Sequence, residues 1–196
     1  MKSVTKYNHF LHLSCGCLNF IEFEKSGKVN IEKIYLTTEG YQRLENNLML
    51  FYTGKTRSAS SILTEQKKNT SSDERKVENL HKMVQLAKDL KDELLRNNID
   101  SMGEILAEGW RLKQSLASGI SNEFINENYE LAIKNGAMGG KLLGAGGGGF
   151  LLFYVKEENH QRVRDALTQL KEMPFKFDNK GTTIIHYNKH SLKGRF

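Results

Sequence analysis

Residues 136–155 read GAMGGKLLGAGGGGFLLFYV, and this stretch decides the fold. Seven of the chain's 17 glycines lie between Gly139 and Gly149, and the apolar run Phe150–Val155 follows at once. Glycine has no Cβ, so it adopts positive φ cheaply and lets another group approach its backbone. It also loses more conformational freedom on folding than any other residue, so a run this dense needs a physical reason. Two are open: a loop whose bared N–H groups cradle phosphate oxygens, or a tight turn between two buried strands. A literal G-x-G-x-x-G is present at Gly144, Gly146 and Gly149. The dinucleotide fingerprint, however, needs a helix directly after the glycines, and Phe150–Val155 reads as a buried strand. The Walker A pattern fails as well, because Lys141 is followed by Leu142 rather than Ser or Thr. What remains is strand, glycine loop, strand, with Lys141 just upstream.

Working outward, the C-terminal side continues with a helix over Glu157–Leu170 on Val163, Ala166, Leu167 and Leu170. Phe175–Phe177 and Thr182–Tyr187 are then expected to pair across the turn at 178–181. On the N-terminal side, Glu123–Asn135 reads as a helix closed by Gly136. A longer helix starts at Asp100 and Ser101, with Glu104 completing a capping box from Ser101, and ends at Gly119. Asp73–Asn97 is a long amphipathic helix on Val77, Leu80, Val84, Ala87, Leu90 and Leu94, and Ala59–Lys68 opens the helical region. Before it, Asn47–Thr53 (NLMLFYT) is a nearly continuous apolar strand, expected to be buried on both faces. Leu18–Glu24 and Val29–Leu36 are strands joined by the turn 25–28. This order gives an α+β fold, a ferredoxin-like split βαβ domain with extra helices.

Composition narrows the function classes. The chain has 196 residues, 38% hydrophobic and 27% charged, enough for one substantial core or one domain plus a piece of another. No apolar run approaches the roughly 20 residues of a membrane helix, and residues 1–20 lack a secretory signal, so no membrane partner and a cytoplasmic location are expected. The net charge of +6 is spread along the chain and interleaved with acids, which suits phosphate-bearing substrates better than nucleic acid. Cys15 and Cys17 lack two further ligands at zinc spacing beyond His9 and His12, so reduced thiols and no metal site are expected.

The segment GGKLLGAGGGGF (Gly139–Phe150) resembles the third motif of the GHMP small-molecule kinases. LMLFYTGKTRSASSIL (Leu48–Leu63) and SGISNEFINENYELAIKNGAMGGKLL (Ser118–Leu143) are similar to the D-glycero-D-manno-heptose 7-phosphate kinases within that family. The resemblance implies phosphoryl transfer from ATP, with Mg²⁺, to the anomeric hydroxyl of a sugar phosphate. It implies that Gly144, Ala145, Gly146, Gly147 and Gly148 present backbone N–H groups to the phosphates, which is the electrostatic work this chemistry needs. Thr53, Gly54, Arg57, Ser58 and Lys141 would then serve the sugar or its distal phosphate, and a guanidinium fork like that of Arg57 suits a phosphate. For Arg57 a surface ion pair at a helix start is the competing reading, and no catalytic residue is assigned.

The same resemblance has a boundary. It begins near Gly16, and the family's main nucleotide loop, of the form P-x-x-x-G-L-G-S-S-A, has no counterpart in the chain; 57–61 lacks every glycine of it. The Asp that family members carry shortly before the LNFIEF strand has no match either, His9 standing near that place. Residues 1–46 are therefore expected to be the remnant of a truncated GHMP kinase N-terminal domain, contributing its last strands, with 47–196 the C-terminal domain. Such a chain is expected to be inactive alone. The alternatives are a GHMP kinase for another sugar, such as L-fucose or galactose, and a non-catalytic sugar-phosphate binding module.

Overall fold

The computed structural model describes residues 18–24, 26–54, 73–144, 146–178 and 181. Among these, the residues up to Tyr35 and from Phe177 onward form one compact unit, and Leu36–Lys176 form another. In the first unit β1 (Asn19–Phe23) and β2 (Val29–Lys33) pair antiparallel, from Asn19 opposite Lys33 to Phe23 opposite Val29. The turn between them places Gly27 at φ +87°, a conformation that costs a residue with a Cβ.

The second unit opens with a helix that the apolar pattern did not announce, α1 (Thr38–Asn46). Its start has a clear local cause: the Thr37 hydroxyl accepts from the Gly40 N–H at 3.0 Å. Then follow β3 (Leu48–Tyr52), α2 (Glu74–Leu95), α3 (Ser101–Gln114), a 3₁₀ turn Ser118–Ile120, α4 (Glu123–Lys134), β4 (Ala137–Leu143), β5 (Phe150–Val155), a 3₁₀ turn Glu157–Asn159, α5 (His160–Ala166) and β6 (Lys171–Glu172). The four strands form one antiparallel sheet in the order β4-β5-β3-β6. β3 lies inside it, with Tyr52 opposite both Phe150 and Lys171. Its Leu48, Met49 and Phe51 are buried, while Leu50 and Tyr52 are half-buried.

Leu151, Phe153 and Val155 alternate along β5 and so share one face, where they join Ile125 and Ala132 of α4, Val163 of α5 and Leu167 in the core. Tyr154 points the other way and is also fully buried. Its hydroxyl donates to Asp100 (2.7 Å) and accepts from Asn47 Nδ2 (2.9 Å). α3 reaches β4 through two glycines. A Cβ on Gly139 would overlap the Gly103 carbonyl, and one on Gly103 would meet the Met138 Cβ at 2.5 Å.

Several sequence expectations need correction. Ser101 does not begin a capping box: Asp100 occupies the cap position without a side-chain cap bond, and the Ser101 hydroxyl donates back to the Asn98 carbonyl at 2.7 Å. α3 stops at Gln114, not Gly119, because Ser115 turns its hydroxyl onto the Leu112 carbonyl and the chain re-enters as a 3₁₀ turn. The helix expected over Glu157–Leu170 is a 3₁₀ turn followed by a helix ending at Ala166. The last strand of the sheet among the described residues is Lys171–Glu172. The expected strand at 182–187 and the helix start at 59–68 lie outside the described residues.

Candidate functional site

Gly144 to Gly149 connect β4 to β5, and four of these glycines have positive φ: Gly144 (116°), Gly146 (102°), Gly147 (68°) and Gly149 (122°). Such a path is closed to ordinary L side chains, which explains the composition of the loop. Two clamps hold it. At one foot, the Thr53 hydroxyl accepts from the Gly149 N–H and donates to the Gly149 carbonyl, each at 2.9 Å, while the Thr53 N–H donates to the same carbonyl at 3.0 Å. Thr53 is only 5% exposed. At the crest, the Gly147 N–H donates to the Ile120 carbonyl (3.1 Å), and the Gly147 carbonyl accepts from Asn122 Nδ2 (3.1 Å). Asn122 also caps α4, its Oδ1 accepting from the Ile125 N–H at 3.0 Å.

These clamps sort the loop's donors. The Gly147 and Gly149 N–H groups are used inside the protein. Those of Gly144, Gly146 and Gly148 make no hydrogen bond among the described residues, although Gly146 and Gly148 are buried. Buried backbone N–H groups are almost always satisfied. A cradle with unspent donors held on a fixed frame fits an anion such as a phosphate group. The expectation that Gly147 lends its N–H to a ligand is therefore corrected: its donor is taken by Ile120.

The remaining expected site residues divide. Gly54, at φ +75°, follows Thr53 directly, and a Cβ there would meet nothing within 4 Å. Thr53 itself is a buried support of the loop. Ala145, Arg57 and Ser58 lie outside the described residues. Lys141 shares a strand face with Gly139 and lines a cavity of about 160 Å³ with Lys113 and Trp110, whose walls include no loop glycine. Burial pushes the Lys141 ammonium below the ordinary lysine range, and burial followed by the charge of Lys141 does the same to Lys113. Among the described residues no group of three His, Cys, Asp or Glu side chains could hold a metal ion.

Sequence reasoning missed Ile120 and Asn122. Asn122 carried a signal, an Asn directly before Glu123 at a helix start. Its reach to Gly147, 25 residues away, could not be read from spacing.

Comparison with known proteins bears on this geometry. The family model described as GHMP kinases C terminal matches residues 90–172. The chain is 36% identical over 152 residues to the D-glycero-alpha-D-manno-heptose 7-phosphate kinase of Campylobacter jejuni, covering 78% of this chain and 44% of that one. It is 33% identical over 138 residues to the bifunctional fucokinase/GDP-fucose pyrophosphorylase of Arabidopsis thaliana, covering 69% and 13%. Among solved structures, a D-glycero-D-manno-heptose 1-phosphate kinase from Bacteroides thetaiotaomicron superposes with a TM-score of 0.56 at 26% identity, over 83% of this chain and 43% of that one. The chain thus spans less than half the length of these relatives.

Proposed function

We propose that this chain, which carries the GHMP kinase C-terminal domain, contributes the phosphate-handling loop of an ATP-dependent sugar kinase whose acceptor is a heptose 7-phosphate-like sugar. The observation that carries the reading is the clamped glycine loop, with donors at Gly144, Gly146 and Gly148 left unspent by the described residues. When bound, ATP with Mg²⁺ supplies the phosphoryl group to be transferred. The part of this chain is to bind and orient. The free N–H groups, with that of Ala145, hold phosphate oxygens and stabilise charge as it develops on them, with little reorganisation because the loop is already fixed. Thr53 positions the loop, and the resemblance assigns Gly54, Arg57 and Ser58 to the acceptor's phosphate. Lys141 stands apart from this set.

The same proposal covers the architecture. The sequence order β3, helices, β4, β5, α5, β6 and the spatial order β4-β5-β3-β6 support a ferredoxin-like split βαβ domain with extra helices. Residues 1–46 are assigned to a first domain and 47–196 to the C-terminal domain. A cytoplasmic location belongs to the same reading. No helix among the described residues is long and apolar enough to cross a membrane.

Without the family's nucleotide loop, this polypeptide alone binds phosphate-bearing ligands but does not turn over. The test is calorimetric titration of the purified chain with Mg·ATP and with heptose 7-phosphate, beside a coupled assay of ADP release. Saturable binding that Gly146→Val weakens, without ADP release, is the expected result. Unchanged affinities in both Gly146→Val and Gly148→Val would overturn the cradle, and sugar-dependent ADP release would overturn the inactivity. The similarity to the fucokinase favours one second reading, an L-fucose acceptor. It predicts binding of L-fucose in preference to the heptose phosphate.

A further inference from the structure

We propose that the cavity between α2, α3 and β4 is a second ligand site, separate from the glycine loop, for a small carboxylate with an apolar body. Its walls are Leu86 and Leu90 of α2 with Leu106 and Trp110 of α3, and its polar groups are Lys113 and Lys141. Neither ammonium has an ion pair or hydrogen bond among the described residues. Of the acids on these helices, Asp89 accepts from Gln85, Glu78 pairs with Lys82 and Glu108 pairs with Arg111.

Two unpaired like charges beside an apolar space are costly, since desolvation and mutual repulsion both oppose their charged forms. The depressed lysines reflect that cost. An anion between them removes the repulsion and supplies the missing acceptor. Trp110, 2% exposed, stands in the wall of this cavity. The chemistry of the ligand follows from the walls. A bare phosphate needs many donors, whereas this site offers two ammonium groups and a hydrocarbon surface. The volume, about 160 Å³, is close to the roughly 150 Å³ that holds a benzene ring in a dry cavity. A six-membered carbocycle or short alkyl chain bearing one carboxylate matches both parts.

Trp110 is the chain's single tryptophan, so its emission reports on this cavity directly. Cyclohexanecarboxylate is titrated into the 196-residue chain, beside cyclohexylmethanol, which keeps the ring and lacks the charge. The acid should shift Trp110 emission saturably and raise Tm, and the alcohol should bind at least about tenfold more weakly, the value of one charge-assisted contact. Lys113→Met and Lys141→Met should each lose about tenfold for the acid and little for the alcohol. The double variant should bind acid and alcohol alike, and the single variants carry the test if it does not fold. Gly146→Val, in the loop, should leave acid binding unchanged. The proposal is overturned by equal binding of acid and alcohol to the native chain, by absence of a saturable response, by retention of acid binding in both single variants, or by its loss in Gly146→Val.

Discussion

Replacing Thr53 by valine keeps the shape of the side chain and removes one oxygen, and that oxygen serves Gly149 twice. The hydroxyl accepts from the Gly149 N–H and donates to the Gly149 carbonyl, both at 2.9 Å, in a place where Thr53 is 5% exposed. In Thr53→Val the carbonyl still accepts from the Thr53 N–H at 3.0 Å. Among the described residues the Gly149 N–H has no such second partner. Leaving a buried donor unsatisfied costs about 1–3 kcal/mol, and the lost donated bond adds about 1 kcal/mol. A total of about 2–4 kcal/mol follows, and each kcal/mol lowers Tm by about 2–4 °C in a chain of this size. Urea unfolding of the native chain, Thr53→Val and Thr53→Ser measures it. The serine variant keeps the hydroxyl and should lose about 1 kcal/mol, the methyl alone. Amide exchange at Gly149 should quicken in the valine variant only. A valine variant within about 0.5 kcal/mol of the native chain, or a serine variant that loses more than the valine one, would refute the reasoning.

Four further expectations concern the rest of the domain. Burial raises the Asp100 carboxyl, but the Tyr154 hydroxyl, Lys156 and Arg43 together hold it below its usual value. Its contribution to stability is therefore present above that value of 3.8 and lost as pH falls through the lower folded one, and Asp100→Asn should flatten the acid limb of a stability–pH curve. Gly139→Ala should destabilise by about 1–3 kcal/mol through overpacking against Gly103 and Ala107. Gly109→Ala, with only Leu86 Cδ1 at 4.0 Å, should stabilise α3 by about 0.5–1 kcal/mol, and urea unfolding of both glycine variants measures this. Lys113 and Lys141 lie below 10.5, so the unfolded chain binds more protons and stability should rise with pH toward that value. Lys113→Met should shrink this rise in denaturation curves collected at successive pH values.

What could be read from the chain tracks the range of the interactions involved. β1, β2, β3 and β5 were legible because alternation or a continuous apolar run is a local signal, and α2 and α4 because their stripes and caps are local too. α1 was passed over because its apolar positions are few; only Gly40 and Leu44 are buried. Ser101 and Glu104 matched a capping box, yet Asp100 is drawn to Arg43, Lys156 and Tyr154, from three other elements, which sets the turn before α3. The loop itself was evident from its glycines. Which of its donors stay unspent among the described residues was not, because Thr53 and Ile120 take the others from 96 and 27 residues away in the chain.

Asn122 shows what those distant choices mean. Its side chain starts α4 with one atom and holds Gly147 with another, so the loop's crest is set in place when the helix forms. Thr53, directly after β3, holds the other foot at Gly149. A flexible glycine loop would have to be ordered by each incoming phosphate, and that entropy would be subtracted from every binding event. Here the contacts of Thr53, Ile120 and Asn122 hold Gly147 and Gly149 from outside the loop, so that part of this cost falls within the fold itself.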